Sequence, residues 1–114
     1  MHELTIAQSV IGIVSRAVPE GFKGKVAAIH TNIGTLSGIE NDALLFSFDI
    51  IKKDSIASGA QLIIHLVTAK AKCNDCGFTI DIDSFGNACP HCHQYNLEIT
   101  QGKELQVTSI EYDE

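Results

Sequence analysis

Two cysteine pairs, Cys73-Asn-Asp-Cys76 and Cys89-Pro-His-Cys92, constrain this 114-residue chain more than any other feature. Two residues between cysteines allow a tight turn that aims both sulfurs at one ion. Gly77, directly after the first pair, supplies the backbone freedom such a turn often needs. Four thiolates suit a closed tetrahedral Zn²⁺ site with Zn–S near ~2.3 Å. A closed shell leaves no position for water, so the predicted role is structural and not catalytic. From Ala69 to about Asn96 the segment contains Gly77, Gly86 and Pro90 but few large aliphatics. It cannot build a core of its own and is expected to fold around the metal, whose binding is worth roughly 10–16 kcal/mol in small zinc-dependent peptides. His91 and His93 read either as exposed loop residues or as side chains able to replace a cysteine or hold a transient second ion. His30 and His65 fall in predicted strands, where a packed or solvent-facing histidine is the common case, and receive no role.

The remainder of the chain supplies the core. Apolar residues at Leu4, Ala7, Val10, Ile11, Val14, Ala17 and Val18 form a helical stripe over 4–18, ended by Pro19 and Gly21. Lys25 to Thr35 is β-branched and partly alternating, and reads as a strand closed at Gly34. Ser37 and Glu40 form an S-x-x-E capping box. A second amphipathic helix is predicted to follow to about Asp54, with Ile39, Ala43, Phe46 or Leu45, and Ile50 on its apolar face. Gln61 to Thr68 and Glu104 to Tyr112 are strand-like, the latter offering Leu105, Val107 and Ile110 to a core. The economical arrangement is an α+β fold: a small mixed or antiparallel sheet with two helices, and an inserted zinc-ribbon-like portion. The predicted boundaries are 1–68 with 98–114 for the first part and 69–97 for the second.

Charge narrows the partners. Eight Lys and Arg oppose fourteen Asp and Glu, for a net charge of −6. Four thiolates with one divalent ion would add two further negative charges. Nucleic-acid binding through phosphate neutralisation needs a basic face, which this composition does not provide. No Trp and only 2 Tyr and 5 Phe make an aromatic stacking platform a poor prospect. No stretch approaches the ~20 apolar residues of a membrane helix. The N-terminal run follows His2 and Glu3, not a basic segment, so a secretory leader is not expected and the chain reads as cytoplasmic. Cysteines in that compartment point to metal or redox chemistry in place of a disulfide framework.

The first three residues, Met1-His2-Glu3, admit two readings. One is an initiator methionine and two polar residues entering a helix, with Glu3 favoured by the dipole. The other is chelation: the α-amine of Met1, the amide nitrogen of His2 and its imidazole close adjacent rings on one ion, and the amide of Glu3 completes a plane. Square-planar nitrogen coordination suits Ni²⁺ or Cu²⁺.

Together, M-H-E at 1–3, S-V-I at 9–11, I-G-T-L-S-G at 33–38, C-x2-C-G, C-P-x-C and G-K-E-L-Q-V-T-S-I-E at 102–111 resemble the HypA/HybF hydrogenase nickel-incorporation proteins from end to end. The resemblance implies a nickel metallochaperone, not an enzyme, acting in maturation of [NiFe]-hydrogenases and, in some bacteria, of urease. It implies an α/β nickel-binding portion and a zinc portion. It also implies Ni²⁺ as cargo held around Met1, His2 and Glu3, with structural Zn²⁺ at Cys73, Cys76, Cys89 and Cys92. The partners it implies are a nickel-handling GTPase and the hydrogenase large-subunit precursor. Many members carry Gly after the last cysteine, where this chain has His93. Monomer and homodimer, including exchange of a helix or strand, both remain open. The alternative from the cysteines alone is a zinc-ribbon module for protein interaction or association with nucleic acid.

Overall fold

The computed structural model describes residues 2–113. Its elements in chain order are α1 (Glu3–Ala17), β1 (Lys25–Gly34), α2 (Asn41–Ile51) with a 3₁₀ turn at Lys52–Asp54, β2 (Gln61–Val67), β3 (Lys70–Cys73), β4 (Thr79–Asp81), β5 (Leu97–Gln101) and β6 (Leu105–Asp113). Two compact units result. One holds the chain through Asn32, then Ile39–His65 and the stretch from Gln106 onward; the other holds Ile33–Gly38 and Leu66–Leu105.

In the first unit, β1 is the central strand of a three-stranded sheet ordered β2-β1-β6. The stripe predicted for α1 buries Ala7, Val10 and Val14. The helix ends where expected, because Val18, preceding Pro19, takes an extended conformation that the proline ring enforces. α1 packs against α2, whose buried residues are Leu44 and Phe48. Full burial of such side chains contributes roughly 1.5–3 kcal/mol each. Thr31, the one buried polar side chain among the described residues, donates its hydroxyl hydrogen to the Ile63 carbonyl at 3.1 Å.

Three sequence expectations need correction here. The buried face of α2 is Leu44 with Phe48, one turn apart, while Phe46 and Ile50 are 69% and 51% exposed. The apolar residues surround this helix on most sides, so periodicity alone did not choose the phase. Ser37 and Glu40 form no capping box. Gly38 at φ 78° redirects the chain, the Ser37 N–H bonds to the Gly34 carbonyl, and Glu40 itself is the N-cap, its carboxylate accepting the Asp42 N–H. In β6, Leu105 is 46% exposed and Val107 and Ile110 are only half-buried, as suits a strand at the sheet's edge.

The second unit contains an antiparallel sheet ordered β4-β3-β5 that carried no strong sequence signal. Lys70 pairs with Asp81 across β3 and β4, and its Nζ lies 2.5 Å from the carboxylate. Two of the sequence strings singled out above meet in this unit. The Gly34 N–H bonds to the Glu104 carbonyl at 2.9 Å, and the Leu36 N–H to the Gly102 carbonyl at 2.8 Å. These backbones approach so closely that a Cβ on Gly34 would lie 2.0 Å from the Gly102 oxygen. Gly34→Ala therefore lowers stability by roughly 1–3 kcal/mol or more, since backbone must move. Urea unfolding of the two proteins measures the difference, and an unchanged midpoint would show that the crossing is loose.

Candidate metal centre

Two short peptide turns bring the sulfurs together. In the first, the Gly77 N–H bonds to the Cys73 carbonyl at 2.8 Å, and the Cys73 N–H to the Phe78 carbonyl at 2.9 Å. In the second, the His93 N–H bonds to the Cys89 carbonyl at 2.7 Å, and the Cys89 N–H to the Gln94 carbonyl at 2.9 Å. The same pair of bonds thus closes both turns, position for position. Gly77 sits at φ 78° and His93 at φ 66°. His93 occupies the left-handed position that Gly77 fills in the other turn, and among the described residues no other non-glycine has positive φ. Its departure from the family pattern leaves the turn intact and places the strain on one residue.

The four Sγ atoms lie within 4.8 Å of one another. Cys73 and Cys92 are 3.5 Å apart and Cys76 and Cys89 3.7 Å apart. A tetrahedron with metal–sulfur bonds of ~2.3 Å has edges of about 3.8 Å, so the sulfurs fit a single four-coordinate ion. No cysteine is in a disulfide. Cys73 and Cys89 are buried and Cys76 is exposed. Sulfurs this close cannot all carry charge without a cation among them. The Cys92 backbone N–H, ahead of other contacts, holds the Cys89 thiol down to about 7. The Gln94 N–H pulls on Cys92, but burial and the neighbouring thiols outweigh it and push that thiol up to about 12.

Neither histidine near the second turn joins this group. His91 stacks on Phe78, ring centroids 4.9 Å apart and 6° from parallel, a contact the sequence did not signal.

At the other end of the chain, Met1 lies outside the described residues. His2 is exposed and is the N-cap of α1, making no side-chain capping bond, and its carbonyl accepts the Ile6 N–H. Glu3 begins the helix, and its carboxylate accepts the Glu40 N–H at 3.0 Å. That bond, first among its causes, holds the Glu3 carboxyl below the ordinary range. The sequence singled out Glu40 only as part of a capping box and gave no sign of its bond to Glu3, since nothing in the spacing links positions 37 residues apart.

Two helices with a three-stranded sheet, and a second small sheet carrying a closed four-thiol site, define a small α+β metal-binding protein. The family model for hydrogenase/urease nickel incorporation metallochaperones, HypA, matches residues 1–112. The chain belongs to the HypA family. It is 39% identical to the hydrogenase maturation factor HypA of Psychromonas ingrahamii, covering 99% of each chain. It is 35% identical to the hydrogenase maturation factor HybF of Proteus vulgaris over 99% of this chain and all of that one. The solution structure of the Ni metallochaperone HypA from Helicobacter pylori superposes with a TM-score of 0.68 at 25% identity, covering 97% of both chains.

Two variants test the centre. Cys73→Ala removes one of four ligands, so the metal content of the purified protein falls, as elemental analysis will read; undiminished content would sink the four-sulfur assignment. His93→Gly relieves the strained position and raises the thermal midpoint, by the equivalent of roughly 0.5–1 kcal/mol.

Proposed function

We propose that this chain is a nickel carrier for maturation of [NiFe]-hydrogenase, with urease as a second client where the cell has one. The cargo ion is held by the α-amine of Met1, the imidazole of His2 and the backbone nitrogens of His2 and Glu3. One observation carries this site: α1 begins at Glu3 with His2 as its N-cap. The first amides of a helix have no carbonyl one turn back to receive their hydrogens, so no helical bond has to break when these nitrogens lose protons to a metal. The Glu3 amide faces its own carboxylate, which can take up that proton. No capping side chain competes for them at His2.

Binding is ligand exchange at an exposed site, which takes Ni²⁺ from one partner and yields it to another without catalysis. The partners are a nickel-handling GTPase and the hydrogenase large-subunit precursor, met in the cytoplasm. No described helix is long and apolar enough to cross a membrane. Cu²⁺ binds such nitrogen sites more tightly than Ni²⁺, so delivery of nickel depends on metal supply and partner docking. The ion at Cys73, Cys76, Cys89 and Cys92 is Zn²⁺, and its role is structural: four sulfurs leave no open position. The division of labour puts nickel on the unit that begins with α1 and zinc on the unit that carries the four cysteines, which takes in β5 and so reaches further than the 69–97 expected from the sequence.

Calorimetric titration of zinc-loaded protein with Ni²⁺ tests the reading. The native chain takes up one tight equivalent. His2→Ala, and a chain with residues added before Met1, both lose it while keeping fold and zinc. Equal tight binding in all three would remove the N-terminus from the mechanism.

A further inference from the structure

Away from both metal regions, one side-chain cluster crosses all three strands of the β2-β1-β6 sheet. His65 on β2 meets His30 on β1, and His30 meets Glu111 on β6. His30 Nδ1 lies 2.8 Å from His65 Nε2, while His30 Nε2 is hydrogen-bonded to Glu111 Oε2. The imidazole rings are 13° from parallel with centroids 5.1 Å apart. Once the 2.8 Å between nitrogens is taken out, the remainder is what two ring radii occupy. The rings therefore meet edge to edge, nitrogen facing nitrogen, and not face to face.

Proton bookkeeping decides what this row is. A carboxylate only accepts, so His30 Nε2 carries its hydrogen toward Glu111 and His30 Nδ1 is left as a lone pair. That lone pair points at a second imidazole nitrogen. At this separation the hydrogen of His65 Nε2 fills the space between the two nitrogens. A metal ion takes its place only if His65 swings back, so that both lone pairs converge on the ion at ~2.0–2.1 Å.

We propose that His30 Nδ1 and His65 Nε2 form a site for a divalent transition-metal ion on this sheet, with Glu111 as the orienting residue. A histidine that binds metal through one nitrogen and donates its other N–H to a carboxylate is the usual supporting arrangement of such ligands. Two nitrogen ligands at ~2.0–2.1 Å and at right angles are about 2.9 Å apart, so His65 needs to turn and shift its ring, not to travel far, to ligate the ion beside His30. His30 is held on the central strand with its side chain 22% exposed, whereas His65 is exposed and free to tilt its lone pair onto the ion. Imidazole suits Ni²⁺, Cu²⁺ and Zn²⁺, and the net charge of −6 favours cations. When the ion enters, the hydrogen on His65 Nε2 passes through solvent to Nδ1. Both rings stay neutral, and no proton is lost from the neutral pair. Water fills the remaining positions, so this site holds metal more weakly than four sulfurs and exchanges it readily.

The site shares no residue with Met1–Glu3 and stands independently of the nickel-carrier reading. The test uses the zinc-loaded full chain with residues added before Met1, which blocks N-terminal chelation. Ni²⁺ is added in steps while the imidazole resonances are followed by NMR. The expected result is paramagnetic broadening of His30 and His65 ahead of His2, His91 and His93. His65→Ala weakens this event at least tenfold, and Glu111→Gln weakens it roughly tenfold. His65→Gln, which keeps a polar group facing His30, gives the same loss as His65→Ala and guards against a folding artefact. An isotherm unchanged in His65→Ala, or broadening confined to the other histidines, would overturn the proposal.

Discussion

Four sulfurs within 4.8 Å of one another are the constraint from which much of this molecule follows. Thiols crowded that closely resist joint ionisation, as the opposite displacements of Cys89 and Cys92 illustrate. A cation removes the conflict, and the unit built around it has little else to hold it. Apart from Ile33, its buried apolar side chains are small, Ala69 and Ala71 together with Cys73 and Cys89. The backbone answers the constraint twice in the same way. Each cysteine pair is wrapped by a turn whose fifth residue is left-handed, and the second turn accepts the cost of a histidine there.

The other unit rests on different physics. Its order comes from apolar burial, with Ala7, Val10 and Val14 of α1 and Leu44 and Phe48 of α2 withdrawn from water. Tying the two helices together at their starts is the Glu3 carboxylate, which receives the Glu40 N–H and so serves the first turn of one helix while contacting the cap of the other. A single polar bond between elements distant in sequence thus fixes where the N-terminal residues lie.

Much of this was legible in the sequence because the strong signals were local. The stripe of α1, its stop before Pro19, the β-branched run of β1 and the paired cysteines each depend on neighbours within a turn or two. The phase of α2 was not legible, because Ile39, Phe46 and Ile50 are as apolar as Leu44 and Phe48, and only packing selects among them. β3 to β5 escaped notice for a related reason. Lys-Ala-Lys-Cys has no strand signature of its own and takes its conformation from the partners on either side. The His30–His65–Glu111 row could not have been found by spacing, since its members are 35 and 81 residues apart.

The bare helix start at His2 has an energetic meaning of its own. A serine or aspartate there would secure the first turn by about 1 kcal/mol; the imidazole contributes no such bond. The first turn of α1 therefore has no cap of its own and is held from outside by one bond, the Glu3 carboxylate on the Glu40 N–H, while Val10 and Val14 hold the rest of the helix in place. A segment that unwinds a little at low cost can follow an incoming partner and let go of it again, with the body of the fold undisturbed. Weakness confined to a few residues becomes a form of reach.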